Sequence, residues 1–235
     1  MSQEFNTLIT YVEKLSSRYF HALSSFYVYE ALCEELAPNV VGQETAEENK
    51  TVLQDYINFF IPTKEALRVY AFLELAKLFD VSDQSLHVTK IVNYAQGNLA
   101  KLNANDFAEY NQERVFLDSL ISSYQGIETS DLLAIKEETE KNKDIIEKIK
   151  TYRDKYLAHD DIKKVDVGIN GEEIRILFGL MERILNIFSS KLNSTTSRWD
   201  HIEKNAKEHT GLVINHLKRF EPYRLKEIED EYKIV

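Results

Sequence analysis

The residues of this sequence best suited to chemistry lie in one stretch, Arg153-Asp154-Lys155-Tyr156-Leu157-Ala158-His159-Asp160-Asp161. Arginine keeps its charge at physiological pH, and histidine exchanges protons near neutral pH. Cleavage of RNA without a metal ion needs a base that takes the proton of the 2′-hydroxyl and a cation that stabilises the phosphorane. We therefore predict that His159 acts as base or acid and that Arg153 holds the phosphate with two N–H donors.

Asp154 is the third predicted catalytic residue, and it is expected to orient Arg153 or His159, or to set the local electrostatics. The remaining polar residues of the stretch are assigned supporting roles. They are Asp160, Asp161, Lys155 and Tyr156. Acids with this spacing more often orient neighbours or begin a turn than bind a divalent ion, so we predict no metal ion and no cofactor.

The spacing of Arg153 and His159 leaves three geometries open. Six steps along an ideal helix, at about 100° per residue, place the two side chains roughly 120° apart. A final turn tightened towards three residues per turn brings them nearly into line. Alternatively His159 lies beyond the helix end, or a second subunit supplies the complementary residue. A purely structural interpretation also exists, because cations near a helix C-terminus stabilise its dipole.

Hydrophobic periodicity predicts that long helices position these residues, and the class is all-α. The chain has seven Gly and three Pro, fewer turn residues than sheet-rich proteins normally need. A stripe on the first helix, which is expected to end near Pro38, comprises Leu8, Val12, Leu15, Tyr19, Ala22, Phe26, Tyr29, Cys33 and Leu36. A second pattern meets Pro62, which either kinks that helix or opens the next one.

Later helices are expected over about 82–95, 106–124, 130–158, 174–192 and 198–220. Ser82 or Asp83 is the predicted cap of the first of these, and Pro222 is predicted to introduce a charged tail after the last. Residues 193–197 form a breakpoint. We therefore place a helical domain at 1–193, and at 194–235 a C-terminal helix and charged tail packed on it.

Two segments resemble the abortive-infection, AbiU2-like branch of the HEPN superfamily. The Arg-x5-His spacing with Asp154 resembles that superfamily's Arg-x4–6-His motif, and the run AFLELAKLFDVSDQSLHVTKIV at residues 71–92 resembles the same branch. The resemblance covers roughly residues 10–192. Arg153, Asp154 and His159 match the motif, and Asp161 more weakly matches an acidic residue that often follows the histidine.

The resemblance implies a helical bundle with long antiparallel helices, usually a homodimer with both motifs in a cleft between subunits. It implies metal-independent endoribonuclease activity in phage defence or a toxin–antitoxin system, with an inhibitory or activating partner protein. HEPN toxins paired with nucleotidyltransferase antitoxins carry a tyrosine where this chain has Asp161. Silencing by modification of that tyrosine is therefore not expected.

Composition supports a different class of function as the alternative. The formal net charge is −10, whereas a non-specific nucleic-acid binder is usually basic. A catalytically inactive module that binds partner proteins is the second hypothesis. The single cysteine, Cys33, fits a reducing compartment. We see neither a membrane span nor a secretion signal in Met1–Phe5, so we expect a cytoplasmic protein without membrane contacts.

Overall fold

The computed structural model describes residues 1–82, 84–157 and 168–232, without the side chains of Tyr156 and Leu157. Most of these residues are helical, with no strand among them, so the all-α prediction is confirmed. The helices are α1 (Gln3–Glu34), α2 (Pro38–Val41), α3 (Gln43–Asp55), α4 (Ile57–Leu78), α5 (Val88–Asn98), α6 (Ala104–Tyr110), α7 (Leu117–Ser123), α8 (Thr129–Lys141), α9 (Lys143–Tyr152), α10 (Gly171–Asn193) and α11 (Asp200–Tyr232). A 3₁₀ turn, Leu99–Lys101, follows α5, and a π-helical turn, Arg153–Leu157, follows α9.

The chain divides into two compact units. Unit 1 comprises residues 1–22 and 72–198, and unit 2 comprises residues 23–71 and 199–235. The divisions fall inside α1 and α4, so each of these helices contributes residues to both units. The predicted domain boundary at 193 concerns which part of the chain folds by itself, and it stays a prediction.

Unit 1 is organised around α10, which packs against α6, α8 and α9. The N-terminus of α10 forms a capping box. The side chain of Asn170 accepts a hydrogen bond from the amide of Glu173, and the Glu173 carboxylate accepts one from the amide of Asn170. The buried face of α10 comprises Ile174, Leu177, Phe178, Leu180, Met181, Ile184, Leu185, Phe188 and Leu192. Phe178 meets Tyr19 of α1 edge-on, with ring centroids 6.0 Å apart. The core of unit 1 therefore lies between the apolar faces of α1 and α10.

Unit 2 is built on the packing of α11 against α3. Lys218 of α11 pairs with Glu48 of α3 at 3.0 Å, and Arg224 pairs with Asp55 at 3.2 Å. Inside the unit, the side-chain amide of Asn49 donates to the backbone carbonyl of Glu35 at 2.7 Å. Polar contacts therefore fix α3 on both of its sides.

Several helix bounds differ from those that the sequence predicts. The stripe of α1 is buried from Leu8 to Phe26, but the helix ends at Glu34, before Leu36. The single helix predicted over 106–124 is wrong, because the chain breaks between α6 and α7. There the side-chain amide of Asn111 donates to the carbonyl of Phe107, and Phe116 adopts a left-handed conformation with φ 64°. Local side-chain bonds of this kind compete with helix continuation.

Two further boundaries are set by local polar contacts, and a third coincides with a left-handed backbone conformation. The helix predicted over 130–158 is interrupted at Asn142, whose side chain donates to the carbonyl of Glu138. The cap predicted at Ser82 or Asp83 is wrong, because α5 begins at Val88 and the imidazole of His87 accepts from the amide of Lys90. The breakpoint at 193–197 is confirmed, with Ser194 in the left-handed region at φ 51°.

Both interior prolines lie inside helices. The helix break falls at Tyr56 rather than at Pro62, which lies in the second turn of α4. Pro222 was expected to end the last helix, but α11 runs through it to Tyr232. Each proline removes one backbone donor, which the neighbouring turns tolerate.

Candidate active site

The candidate site is located where α9 passes into the π-helical turn Arg153–Leu157. The buried residues Ile146 and Ile149 fix α9 in unit 1. At its end the ring of Tyr152 meets that of Phe72 on α4 edge-on, with centroids 5.6 Å apart. Aromatic pairs of this kind contribute about 0.5–1.5 kcal/mol beyond the area they bury. The backbone of Arg153 is therefore held against the end of α4.

The π-helical turn excludes one of the three predicted geometries for the residues Arg153–Leu157. A π-helix closes i→i+5 bonds and is wider than an α-helix, whereas the predicted alignment needed a tightened, 3₁₀-like turn. The tightening is therefore wrong for Arg153–Leu157, where the backbone widens instead. Single π-helical turns inside or at the end of helices occur frequently at functional sites.

The guanidinium of Arg153 is shared between two carboxylates. Its Nη1 donates to Oδ2 of Asp80 at 2.8 Å, and its Nε donates to Oδ1 of Asp154 at 2.7 Å. The side chains of Arg153 and Asp80 are 17% and 24% exposed, whereas that of Asp154 is 54% exposed. The pair with Asp80 is thus partly buried, and the pair with Asp154 is open to solvent and easier to replace.

The charges of the cluster reinforce one another. The hydrogen bond to Asp154 outweighs the effect of burial and, together with the bond to Asp80, raises the pKa of Arg153. Burial raises the pKa of the Asp80 carboxyl, but the amide of Val81 and the Arg153 guanidinium more than offset it, so that pKa is lowered. Both groups are therefore charged across the physiological range.

Asp80 is itself held by the segment that joins α4 to α5. Its Oδ1 accepts from the amide of Val81 at 2.9 Å. At the other end of this segment, Nη1 of Arg18 donates to the carbonyl of Leu86 at 2.7 Å. Nε of the same arginine donates to Glu74 on α4 at 2.9 Å. The carboxylate that meets Arg153 thus belongs to a segment tied to α1 and α4.

The predicted site residues are only partly described. Arg153 and Asp154 meet, as expected, and Lys155 is half-buried in the same turn. The side chain of Tyr156 and the residues His159, Asp160 and Asp161 lie outside the described residues.

Asp80 is a site residue that the motif alone does not reveal. It lies 73 positions before Arg153, so no local spacing connects the two. It does fall in the run 71–92, which carries the second part of the resemblance. That run, and an acid directly after the buried pair Leu78 and Phe79, are the signals that point to it.

The described residues present neither a metal-binding cluster nor a helix that could span a membrane. No group of three or more His, Cys, Asp or Glu among them is arranged to hold a metal ion. Of the acids considered for such a role, Asp154 is described and binds Arg153, whereas Asp160 and Asp161 are not described. No helix in the described ranges is both long and apolar enough to cross a membrane.

Comparison with protein families gave a match over most of the chain. The model of the HEPN AbiU2 family matches residues 5–211, which extend from the first turn of α1 through α10 to the first third of α11. Comparison with the curated proteins and with the solved structures gave no match.

Proposed function

Because the chain belongs to the HEPN AbiU2 family, we propose that it is a cytoplasmic, metal-independent endoribonuclease of the abortive-infection type. One observation supports this activity above the others: the motif arginine, Arg153, sits partly exposed on a π-helical turn with its guanidinium held by Asp80. A biological role in phage defence or a toxin–antitoxin system, under a partner protein that restrains or activates the enzyme, belongs to the same proposal.

The bonding of Arg153 suggests how it receives a phosphate. Two other arginines of this chain bind a carboxylate through Nε and Nη2, the side-on edge of the guanidinium. Arg68 donates in this way to Glu65, and Arg224 to Glu221. Asp80 takes Nη1, which lies outside that edge. A scissile phosphate that replaces the exposed Asp154 would therefore bind through Nε and Nη2 while Asp80 keeps the guanidinium in place.

The reaction then follows from the two motif residues. His159, or the same residue of a second subunit, takes the proton of the 2′-hydroxyl, and the 2′-oxygen attacks the adjacent phosphorus. The bond from phosphorus to the 5′-oxygen breaks, and that oxygen receives a proton from a protonated His159. Arg153 stabilises the charge on the phosphorane. The products are a 2′,3′-cyclic phosphate and a 5′-hydroxyl, and a homodimer completes the site.

The decisive experiment is cleavage of total cellular RNA and a tRNA pool in EDTA. Wild-type protein is compared with Arg153→Ala, Arg153→Lys and His159→Ala. Lysine keeps the charge but lacks the planar fork, so we expect all three variants to lose at least about 100-fold in rate. Matched controls are Arg183→Ala, which removes an exposed arginine of α10, and His209→Ala on α11; both should retain wild-type rates.

A non-catalytic interaction module remains the second candidate, because Arg153 is already neutralised by two carboxylates and the chain has a net charge of −10. Intact RNA with wild-type protein, in the presence of a bound partner protein, supports that candidate. Cleavage that persists in all three motif variants contradicts the site assignment.

A further inference from the structure

Unit 2 contains an open apolar groove of about 260 Å³. Its lining residues belong to unit 2, whereas the Arg153 cluster belongs to unit 1. Three segments line it: the end of α1, the second half of α3 and the beginning of α4. The apolar lining consists of Leu32, Leu36, Leu53, Ile57, Phe60 and Ile61. Ile57 and Ile61 keep 44% and 56% of their surface exposed. Apolar side chains left open together in this way are typical of a docking surface.

Two lysines flank this groove from different helices. Lys50 projects from α3 and Lys64 from α4, and both line the groove. Neither forms an ion pair with any residue in the described ranges, whereas most described lysines of this acidic chain do. The groove therefore favours an occupant that is apolar in the middle and acidic at its sides.

The end of α11, also in unit 2, has that character. Leu225, Ile228 and Tyr232 are spaced by three and four residues and share one face of the helix. They are 49%, 36% and 79% exposed. On the helical projection Glu229 and Glu231 fall on either side of this stripe, and both are exposed. We call these five residues the acidic stripe.

Within one protomer the acidic stripe does not cover the groove. Ile57 and Ile61 of the groove remain exposed, and so do Leu225 and Tyr232 of the stripe. Arg224 nevertheless fixes the base of the stripe next to the groove. It pairs with Asp55 at 3.2 Å and lies 5.8 Å above the ring of Tyr56, the residue before Ile57. With both surfaces at one end of unit 2, a two-fold axis nearby would bring each stripe to the groove of the other copy.

We propose that unit 2 is a self-association surface, on which the acidic stripe of one protomer lies in the lysine-flanked groove of a second copy. The contact is a helix in a groove, with apolar anchors at i, i+3 and i+7. It is reciprocal, so one interface contains two copies of the same contact. The inference does not depend on the proposed nuclease activity, and the contact is separate from the motif-centred homodimer proposed above, because no residue of the Arg153 cluster takes part.

Reciprocal charge reversal tests this proposal. The groove variant carries Lys50→Glu and Lys64→Glu, and the stripe variant carries Glu229→Lys and Glu231→Lys. Each variant alone places like charges against each other, so its self-association should weaken by at least about tenfold. In an equimolar mixture, both contacts of the mixed pair are again oppositely charged, so association should return. Sedimentation velocity over a concentration series measures each case.

The control variant, Lys141→Glu with Lys143→Glu, makes the same charge change on unit 1 and should associate as the wild type does. Circular dichroism confirms that the exposed substitutions leave the fold intact. Association that is equal in wild type and both variants, or a mixture no stronger than its components, overturns the proposal. RNA cleavage by the two variants is measured in parallel, and its presence or absence does not alter this conclusion.

Discussion

Arg153 has two carboxylate partners, and because one is mostly buried and the other half exposed, we expect them to have different roles. Asp80 is three-quarters buried, accepts from the backbone of Val81 and holds Nη1. Asp154 is about half exposed and occupies Nε, on the edge that would face a phosphate. Exposed ion pairs contribute little to stability, whereas loss of a partly buried partner leaves a charge without compensation. We therefore expect Asp80 to position Arg153. Asp154 is instead expected to give up its place on Arg153 to the substrate phosphate.

The first prediction concerns stability. Asp80→Asn should lower the free energy of unfolding at pH 7 by about 1–2 kcal/mol, because the guanidinium loses a charged acceptor. The folded-state pKa of Asp80 is depressed, so its contribution is present above the unfolded pKa of about 3.9 and is lost as pH falls through the folded value. Urea titrations between about pH 7 and pH 3 should thus show wild type and variant converging at the acid end.

Asp154→Asn is the matched control for this measurement, and its expected effect is below about 0.5 kcal/mol at every pH. Equal stability of wild type and Asp80→Asn at pH 7 would contradict the positioning role. A difference that persists unchanged at the acid end would mean that the effect does not come from the charge of Asp80.

Sequence reasoning at this scale found what lies close along the chain and missed what folding brings together. The motif placed Arg153 beside Asp154, and the structure joins them. The partner at position 80 comes from another helix end, and one sequence contains no signal that pairs it with Arg153. One of the open geometries for Arg153 and His159 needed a tightened helix, and hydrophobic spacing does not report the π-helical turn that the chain forms instead.

At the scale of elements, helix existence followed from periodicity, but helix ends depended on side-chain bonds that periodicity does not contain. Asn111 and Asn142 each donate to the carbonyl four residues earlier, close to the end of a helix. His87 caps α5 although Ser82 and Asp83 have the more usual capping side chains. Pro222 lies inside α11 because packing of that helix on α3 outweighs the local cost of proline.

Pro222 gives the prediction at this scale. It is exposed inside α11, and the carbonyl of Lys218 lacks the amide donor that another residue at 222 would supply. Pro222→Ala should therefore raise the free energy of unfolding by about 1–3 kcal/mol in urea titrations. Pro38→Ala is the control, because proline at the start of α2 fits the helix and its removal should bring no gain. A loss of stability in Pro222→Ala would show that unit 2 needs the bend that proline imposes.

At the scale of the whole molecule, the net charge of −10 means that RNA is not attracted by the surface in general. The proposed RNA binding therefore needs a local cationic site, and one arginine already paired with two carboxylates supplies little positive charge. Bringing two motifs together in a homodimer doubles the local cations without changing the composition of the chain. The charge balance therefore supports the proposed dimeric site, but does not by itself require it.

The last prediction asks whether one site contains residues of both protomers. The turn Arg153–Leu157 widens instead of tightening, so these residues do not form the tightened turn that would align Arg153 with His159 of the same chain, which favours pairing across the dimer. We therefore expect Arg153 of one protomer to act with His159 of the other. Mixing the inactive variants Arg153→Ala and His159→Ala, after dissociation and reassociation, should restore about a quarter of wild-type cleavage, because half of the dimers are mixed and each has one intact site. Each variant reassociated with itself is the control. A mixture as inactive as its components, although mixed dimers have formed, would mean that each protomer uses its own arginine and histidine.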